Sequence, residues 1–272
     1  MTPRIKRPSE RRMLSLTVRA SKQTSRHFMT VTLGGDDVRH LRQTGFDQAG
    51  RLFFADPAED GDVFLPSSER WVLQLTLQGG KRRPRVRTYT IRRFRPQESA
   101  FDIEVSLHEI DASGRASAPG TRWALAATPG TKVAFLDEGH SYAPPGGTAW
   151  QLLAGDESAL PAILAILERS AAGLPAEVFL EVPASEDIRP DVTMPPGSVI
   201  HWLPRTDPSV KPGALALDAV KRAQLPDGRF YAWTAGESSM ATGIRRHLVA
   251  ERHVLKADIS FRGYFSHGRA SL

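Results

Sequence analysis

The 272-residue chain contains no cysteine. Disulfides, thiolate zinc sites and cysteine-ligated iron–sulfur clusters are therefore excluded. Any redox chemistry must rest on a bound organic cofactor or on a metal held by other ligands. Long apolar runs are also missing: the longest candidate, LPAILAIL (160–167), falls far short of the roughly 18 residues of a membrane span. The basic start, MTPRIKRPSERRMLSLTVRA, carries no apolar signal-peptide core. Together these predict a soluble, cytoplasmic protein with no membrane partner. G-x-S-x-G, the G-x-x-x-x-G-K-[ST] phosphate loop, H-E-x-x-H and G-x-G-x-x-G do not occur, which weakens hydrolase, nucleotide-triphosphatase and zinc-protease readings. The eight histidines are scattered at 27, 40, 108, 140, 201, 247, 253 and 267, so no metal site is expected. No DNA- or RNA-binding signature is present, and no nucleic-acid partner is expected.

What is present is positive charge and enough apolar residue for a core. The formal net charge is +6 and the hydrophobic fraction 40%. Such a balance suits an anionic partner: nucleic acid, a phosphorylated cofactor or an acidic small molecule. Residues 1–147 read as short strands separated by polar loops: LSLTVRASKQTSRHFMTVTLGG, RLFFA, WVLQLTL, RVRTYTI, FDIEVSLHE and TKVAFLD. This pattern predicts an antiparallel barrel or sandwich. DPAEDGD (56–62) reads as a solvated insertion. SYAPPGGTA (141–149), rich in Pro and Gly, marks a boundary.

From 148 to 272 the pattern changes. Strands at WQLLAG, AEVFLEV, SVIHWLPR and RFYAWTAGE alternate with helices at DESALPAILAILERSAAG, ALALDAVKRAQ and SMATGIRRHLVAERH. Alternation of this kind builds a parallel sheet from βαβ units. A ligand then belongs at the carboxyl ends of the strands, where GDESALP and AGESS fall. Asp156 is positioned to cap the first helix, and Leu160, Ile163, Leu164 and Leu167 form its apolar stripe.

The run RPRVRTYTIRRFRP (83–96) sets six arginines around one tyrosine. It is either an edge strand protected by charge or a grip for something flat, aromatic and anionic. In a strand, Arg87 and Tyr89 share a face. Tyrosine offers a flat face with a polar tip, and arginine a fork for phosphate oxygens.

In their order, RVRTYTIR, DIEVSLHE, APGTRWA, PGTKVAF, AGDESALPAI, EVFLEV, VIHWLPR, WTAGES, IRRHL and GYFSHG resemble the siderophore-interacting protein family. These are flavin-dependent ferric-siderophore reductases related to the ferredoxin–NADP reductase superfamily. The resemblance implies a six-stranded antiparallel FAD-binding β-barrel over 1–147. A parallel-sheet, ferredoxin reductase-like nicotinamide-binding α/β domain would follow over 148–272, with a siderophore-contacting segment at its end. It implies FAD held by Arg87, Thr88, Tyr89 and Thr90, with Tyr89 and Thr90 at the reacting centre. Thr90 would be a hydrogen-bond partner of the flavin's reactive nitrogen, not an acid or base. His108 would lie beside the cofactor. Ala118, Gly120 and Thr121 would present amides to the diphosphate, with Trp123 behind them. Asp156, Glu157, Ser158, Gly236 and Glu237 would line the nicotinamide side. Arg51, His267 and Arg269 would meet the siderophore.

Three departures stand out, one of them Arg51, which sits where the family often has a lysine. The family's G-P-x-G-S is here LDEGHSY (136–142), with two acids. Its G-Y-W-[KR]-x-G is here Gly263-Tyr264-Phe265-Ser266-His267-Gly268. The implied activity is electron transfer from NADH, NADPH or ferredoxin through FAD to a ferric siderophore; a monomer is the default expectation. The alternatives are a same-fold flavin reductase with another acceptor, and a basic non-catalytic module binding a ligand or nucleic acid.

Overall fold

A computed structural model describes residues 5–77, 82–108, 110, 113–170, 173–207 and 209–268. The chain divides into two compact units, one over Ile5–His140 and the other from Ser141 onward.

The first unit is one antiparallel sheet of seven strands: β1 (Met13–Ser25), β2 (Phe28–Gly34), β3 (Ala49–Phe54), β4 (Arg85–Thr90), β5 (Arg93–Arg95), β6 (Ala100–Ser106) and β7 (Lys132–Gly139). Their order is β4-β3-β7-β1-β2-β6-β5. The long β1 serves two partners. Its first part, Met13–Thr17, pairs with β7, and from Thr17 onward it pairs with β2 through two register shifts. The inner faces bury Leu16, Val31, Leu33, Leu52, Phe54, Phe101, Ile103 and Phe135.

The six strands expected are seven, because the three-residue β5 adds an edge. Among the described residues the hydrogen-bonded order runs from β4 at one edge to β5 at the other, which makes the unit an antiparallel sheet. The two edge strands are nonetheless joined by only Ile91 and Arg92. The Ile91 amide donates to the Gln48 carbonyl and the Arg92 amide to the Asp102 carbonyl, each at 2.8 Å.

WVLQLTL, expected as a strand, is a helix, α1 (Trp71–Leu77). Its alternating leucines fit period two, but leucine is also a strong helix former. The packing uses a four-residue spacing: Leu75 is buried and Trp71 packs edge-on to Phe53 at 5.2 Å. PGTRWALA is likewise helical, α2 (Pro119–Ala126), with proline in its first turn, where a missing N–H costs nothing.

The second unit is a parallel sheet of β8 (Trp150–Gly155), β9 (Ala176–Val182), β10 (Val199–Pro204), β11 (Phe230–Glu237) and β12 (Ile259–Phe265). Their order is β10-β9-β8-β11-β12. Helices α3 (Leu160–Arg169), α4 (Ala214–Arg222) and α5 (Ser238–Ala250) connect them. α3 is buried on every side from Leu160 to Leu167, so its apolar surface is wider than a stripe. The sheet reverses direction of growth between β8 and β11, and the carboxyl ends of those two strands form its switch point.

Candidate functional site

In the first unit, β4 carries the Arg-Thr-Tyr-Thr run. Arg87 lies opposite Leu52 and Tyr89 opposite Gly50 across the β3–β4 ladder. Tyr89 is half-buried and packs on the edge of the core. Burial pushes its phenol above the ordinary range, against a smaller pull from the Arg87 cation. Thr88 is exposed and Thr90 buried. The Arg87 guanidinium folds back to donate to the Val86 carbonyl at 2.8 Å.

α2 meets this strand through Gly120. A Cβ placed on Gly120 would stand 2.7 Å from the Tyr89 hydroxyl, so only glycine lets the ring lie there undisturbed. The first turn of α2, after Ala118, has no side-chain cap, and open amides at a helix start suit an anion. Thr121 ties this turn to the end of β6: its Oγ1 accepts from the His108 amide at 3.2 Å and donates to the His108 carbonyl at 3.0 Å. The His108 ring is exposed, with Nδ1 3.2 Å from the Ser106 carbonyl oxygen. Trp123 is buried against Phe54 at 5.2 Å.

One residue here corrects the sequence reading. Asp56, expected in a solvated loop, is 3% exposed. Its carboxylate accepts from Arg122 Nε at 2.9 Å and Nη2 at 2.6 Å, and from Arg85 Nε at 3.3 Å. It therefore clamps α2 to β4. The Arg122 hydrogen bond holds its pKa below the usual carboxylate value, although burial opposes.

The two acids of LDEGHSY are both held. Glu138 faces Arg11 at 2.7 Å and Arg51 at 3.1 Å. Asp137 accepts from Gln48 Nε2 at 2.6 Å and the Gly139 amide at 2.8 Å. Burial raises the Asp137 pKa. Arg51, besides its pairing with Glu138, lies over the Trp71 ring at 5.2 Å.

In the second unit, the structure brings together all five residues expected on the nicotinamide side, at the carboxyl ends of β8 and β11. Asp156 is fully buried and does not cap α3, whose start at Leu160 has no side-chain cap. Instead its Oδ1 accepts from the Ser158 amide at 2.9 Å and Ser158 Oγ at 2.6 Å, and its Oδ2 from the Glu237 amide at 2.6 Å. Burial, then the neighbouring Glu157, pushes the Asp156 pKa up to about 7. A carboxyl group whose pKa is higher folded than unfolded stabilises the fold below the unfolded value and loses that stabilisation as pH rises. Unfolding free energy is therefore expected to fall between about pH 4 and pH 7, and Asp156→Asn to flatten that slope in urea titrations across the range.

Gly236 sits at φ +132°, and a Cβ there would stand 2.5 Å from Asp156 Oδ2. Gly236→Ala is expected to cost about 1–3 kcal/mol from backbone strain alone, with the carboxylate clash added, as read by denaturant unfolding. Glu237 accepts from the Ser239 amide at 2.7 Å and the Met240 amide at 3.1 Å, and pairs with Lys211 at 3.1 Å. Burial opposes ionisation, but these donors outweigh it and bring its pKa to about 2. The altered tail reaches the same place. The His267 amide donates to Glu237 Oε1 at 3.3 Å, and Ser266 Oγ lies 3.1 Å from Ser238 Oγ. Arg269 lies outside the described residues.

Arg205, just past the end of β10, reads from the sequence as a solvated side chain or a contact for a 2′-phosphate, but in the structure it is an ion-pair centre. Its side chain is 10% exposed and lies between Glu157 and Glu181, with contacts of 2.6 Å to each. Burial disfavours the cation, and the two carboxylates more than restore it.

Comparison with known proteins agrees with this layout. A family model described as the siderophore-interacting FAD-binding domain matches residues 17–142, and one described as siderophore-interacting protein matches 148–268. Ferric vibriobactin reductase ViuB of Vibrio cholerae is 31% identical over 256 residues, 91% of this chain and 87% of that protein. A siderophore utilization protein from T. fusca superposes with a TM-score of 0.81 at 27% identity, covering 99% of this chain and 98% of the other. The ferredoxin reductase in carbazole 1,9a-dioxygenase shares the fold at 17% identity, with a TM-score of 0.62 over 95% of this chain and 71% of its own. With sequence relatives that span nearly its whole length and both halves matched in order, this chain belongs to the siderophore-interacting protein family.

Proposed function

We propose that the chain is a flavin-dependent reductase that takes electrons from NAD(P)H or ferredoxin and passes them through FAD to a ferric siderophore, releasing Fe(II). The observation that carries this reading is the Tyr89–Gly120 contact beside the uncapped start of α2. It offers a flat aromatic face, a close backbone approach and amides for an anion in one place, within the part of the chain matched to a flavin-binding domain. FAD supplies the step between two-electron and one-electron chemistry.

Arg87 would neutralise phosphate, with Thr88 beside it on the strand. Tyr89 would stack on the ring, Thr90 would hydrogen-bond its reactive edge, and His108 would flank it. Ala118, Gly120 and Thr121 would hold the diphosphate, with Trp123 fixing the turn from behind. Asp156, Glu157, Ser158, Gly236 and Glu237 would face the nicotinamide. Arg51, His267 and Arg269 would meet the ferric siderophore, and cations suit the anionic character of many ferric chelates. The iron is substrate and needs no protein ligand. In this reading 1–147 is the flavin half and 148–272 the donor half, and the protein works as a cytoplasmic monomer. No helix among the described residues is long and apolar enough to cross a membrane.

A same-fold reductase with a different acceptor is favoured by one feature, the tail in which Ser266 bonds Ser238 where the family resemblance leads one to expect a cation. Steady-state assays decide between the two. Ferric siderophores, followed by a ferrous-iron trap, are expected to be turned over with higher kcat/KM than quinones or ferricyanide. Preference for the latter would reject the siderophore assignment.

A further inference from the structure

In a parallel sheet of this type, a dinucleotide's diphosphate is ordinarily held at the carboxyl edge by open amides at helix starts. Here the amides at the starts of α4 and α5 already have acceptors, the protein's own carboxylates, and the start of α3, which has no side-chain cap, is buried. Glu181 is fully buried and closes the start of α4, accepting from the Gly213 amide at 2.9 Å, the Leu215 amide at 2.9 Å and the Ala216 amide at 3.2 Å. Glu237 closes α5 through the Ser239 and Met240 amides. Asp156 occupies the Ser158 amide and hydroxyl and the Glu237 amide. α3 begins behind this loop, with Ala159, Leu160 and Ala162 fully buried. Two cations there are committed as well, Arg205 to Glu157 and Glu181, and Lys211 to Glu237. A diphosphate would gain an amide only by displacing a carboxylate held at the high effective concentration of an intramolecular partner.

The same groups suit the other end of a pyridine donor. When a hydride, two electrons and one proton, leaves the dihydronicotinamide for the flavin, the ring left behind is a pyridinium cation. Nearby carboxylates favour that developing charge. We propose that this edge engages only the nicotinamide–ribose half of the donor, with the diphosphate and adenosine adding no binding. Reduced nicotinamide mononucleotide then serves as well as NADH or NADPH. This rests on the reductase reading given above.

The test uses the FAD-loaded protein under anaerobic conditions. Second-order rate constants for flavin reduction by reduced nicotinamide mononucleotide, NADH and NADPH are expected to agree within about threefold, since uniform binding is not available to the longer donors. Calorimetric titration with ADP-ribose at millimolar concentration is expected to give no binding heat. An advantage of about tenfold or more for NADH or NADPH, equivalent to about 1.4 kcal/mol, would overturn the proposal, as would saturable heat from ADP-ribose. If none of the three donors reduces the flavin, the proposal also fails. The reductase reading is separable: it stands if photoreduced flavin still passes electrons to a ferric chelate, and falls if it does not.

Discussion

Gly120→Val is expected to give a folded protein that no longer retains FAD. Gly120 is buried in the first turn of α2, a position any residue can adopt without backbone strain, so valine changes the space and little else. Its Cβ would arrive 2.7 Å from the Tyr89 hydroxyl. The Tyr89 ring cannot yield inward, because it already packs on the core, so it must swing outward into the space a flavin would use. Loss of the stacking face and of close backbone approach is expected to weaken FAD binding about 100-fold, or about 2.7 kcal/mol. Gly120→Ala is the milder case, about tenfold. Adding Tyr89→Phe, which removes the atom in the clash, should restore most of that loss. Tyr89→Ala, by removing the ring itself, should match the valine variant. Flavin fluorescence titration of the apoproteins reads all four. Unchanged affinity in Gly120→Val would mean that Tyr89 does not hold the ring.

Arg205→Ala is expected to produce the largest loss of stability in the molecule. The guanidinium donates to Glu157 through both terminal nitrogens, at 2.7 and 2.6 Å, and to Glu181 at 2.6 Å. Truncation leaves two carboxylates facing one another, and the Glu181 side chain has no exposed surface. Breaking a buried pair by removing one partner costs about 3–5 kcal/mol, much more than a surface pair. Glu181 also caps α4, so its repulsion would be transmitted to that helix. Urea unfolding should show the midpoint fall with the slope kept. A change below about 1 kcal/mol would place the bridge in the class of solvated ion pairs.

The parts of this molecule that sequence makes plain are those set by local pattern. AEVFLEV is β9 from end to end, and the alternation of strands and helices after residue 148 is as read. The parallel-sheet half is legible because its strands are buried runs and its helices have period. The exceptions lie where a partner is far away in the chain. Asp156 looks like a helix cap, but the amide that claims it is Glu237, 81 residues on. Arg205, at a strand end, looks solvated or free for a phosphate, but its partners are 48 and 24 residues back. Asp56 sits in a run of acids that looks like open loop until Arg122, 66 residues later, folds onto it. WVLQLTL failed for another reason: seven residues of alternating leucine satisfy both periods, and only packing on Phe53 decides. The Arg-Thr-Tyr-Thr strand stands out by its residue types, whereas the approach of Gly120 to Tyr89 needed coordinates.

The central claim is that flavin bound at the Tyr89 strand hands electrons to chelated iron. It is tested most directly by a single turnover. FAD-loaded protein is photoreduced without oxygen, mixed with excess ferric siderophore and a ferrous-iron trap, and followed at the flavin and trap bands together. The account predicts reoxidation of the flavin with about two Fe(II) trapped per FAD, since each two-electron flavin serves two one-electron acceptors. A flavin that stays reduced over ferric siderophore, while oxygen or a quinone reoxidises it, would contradict it.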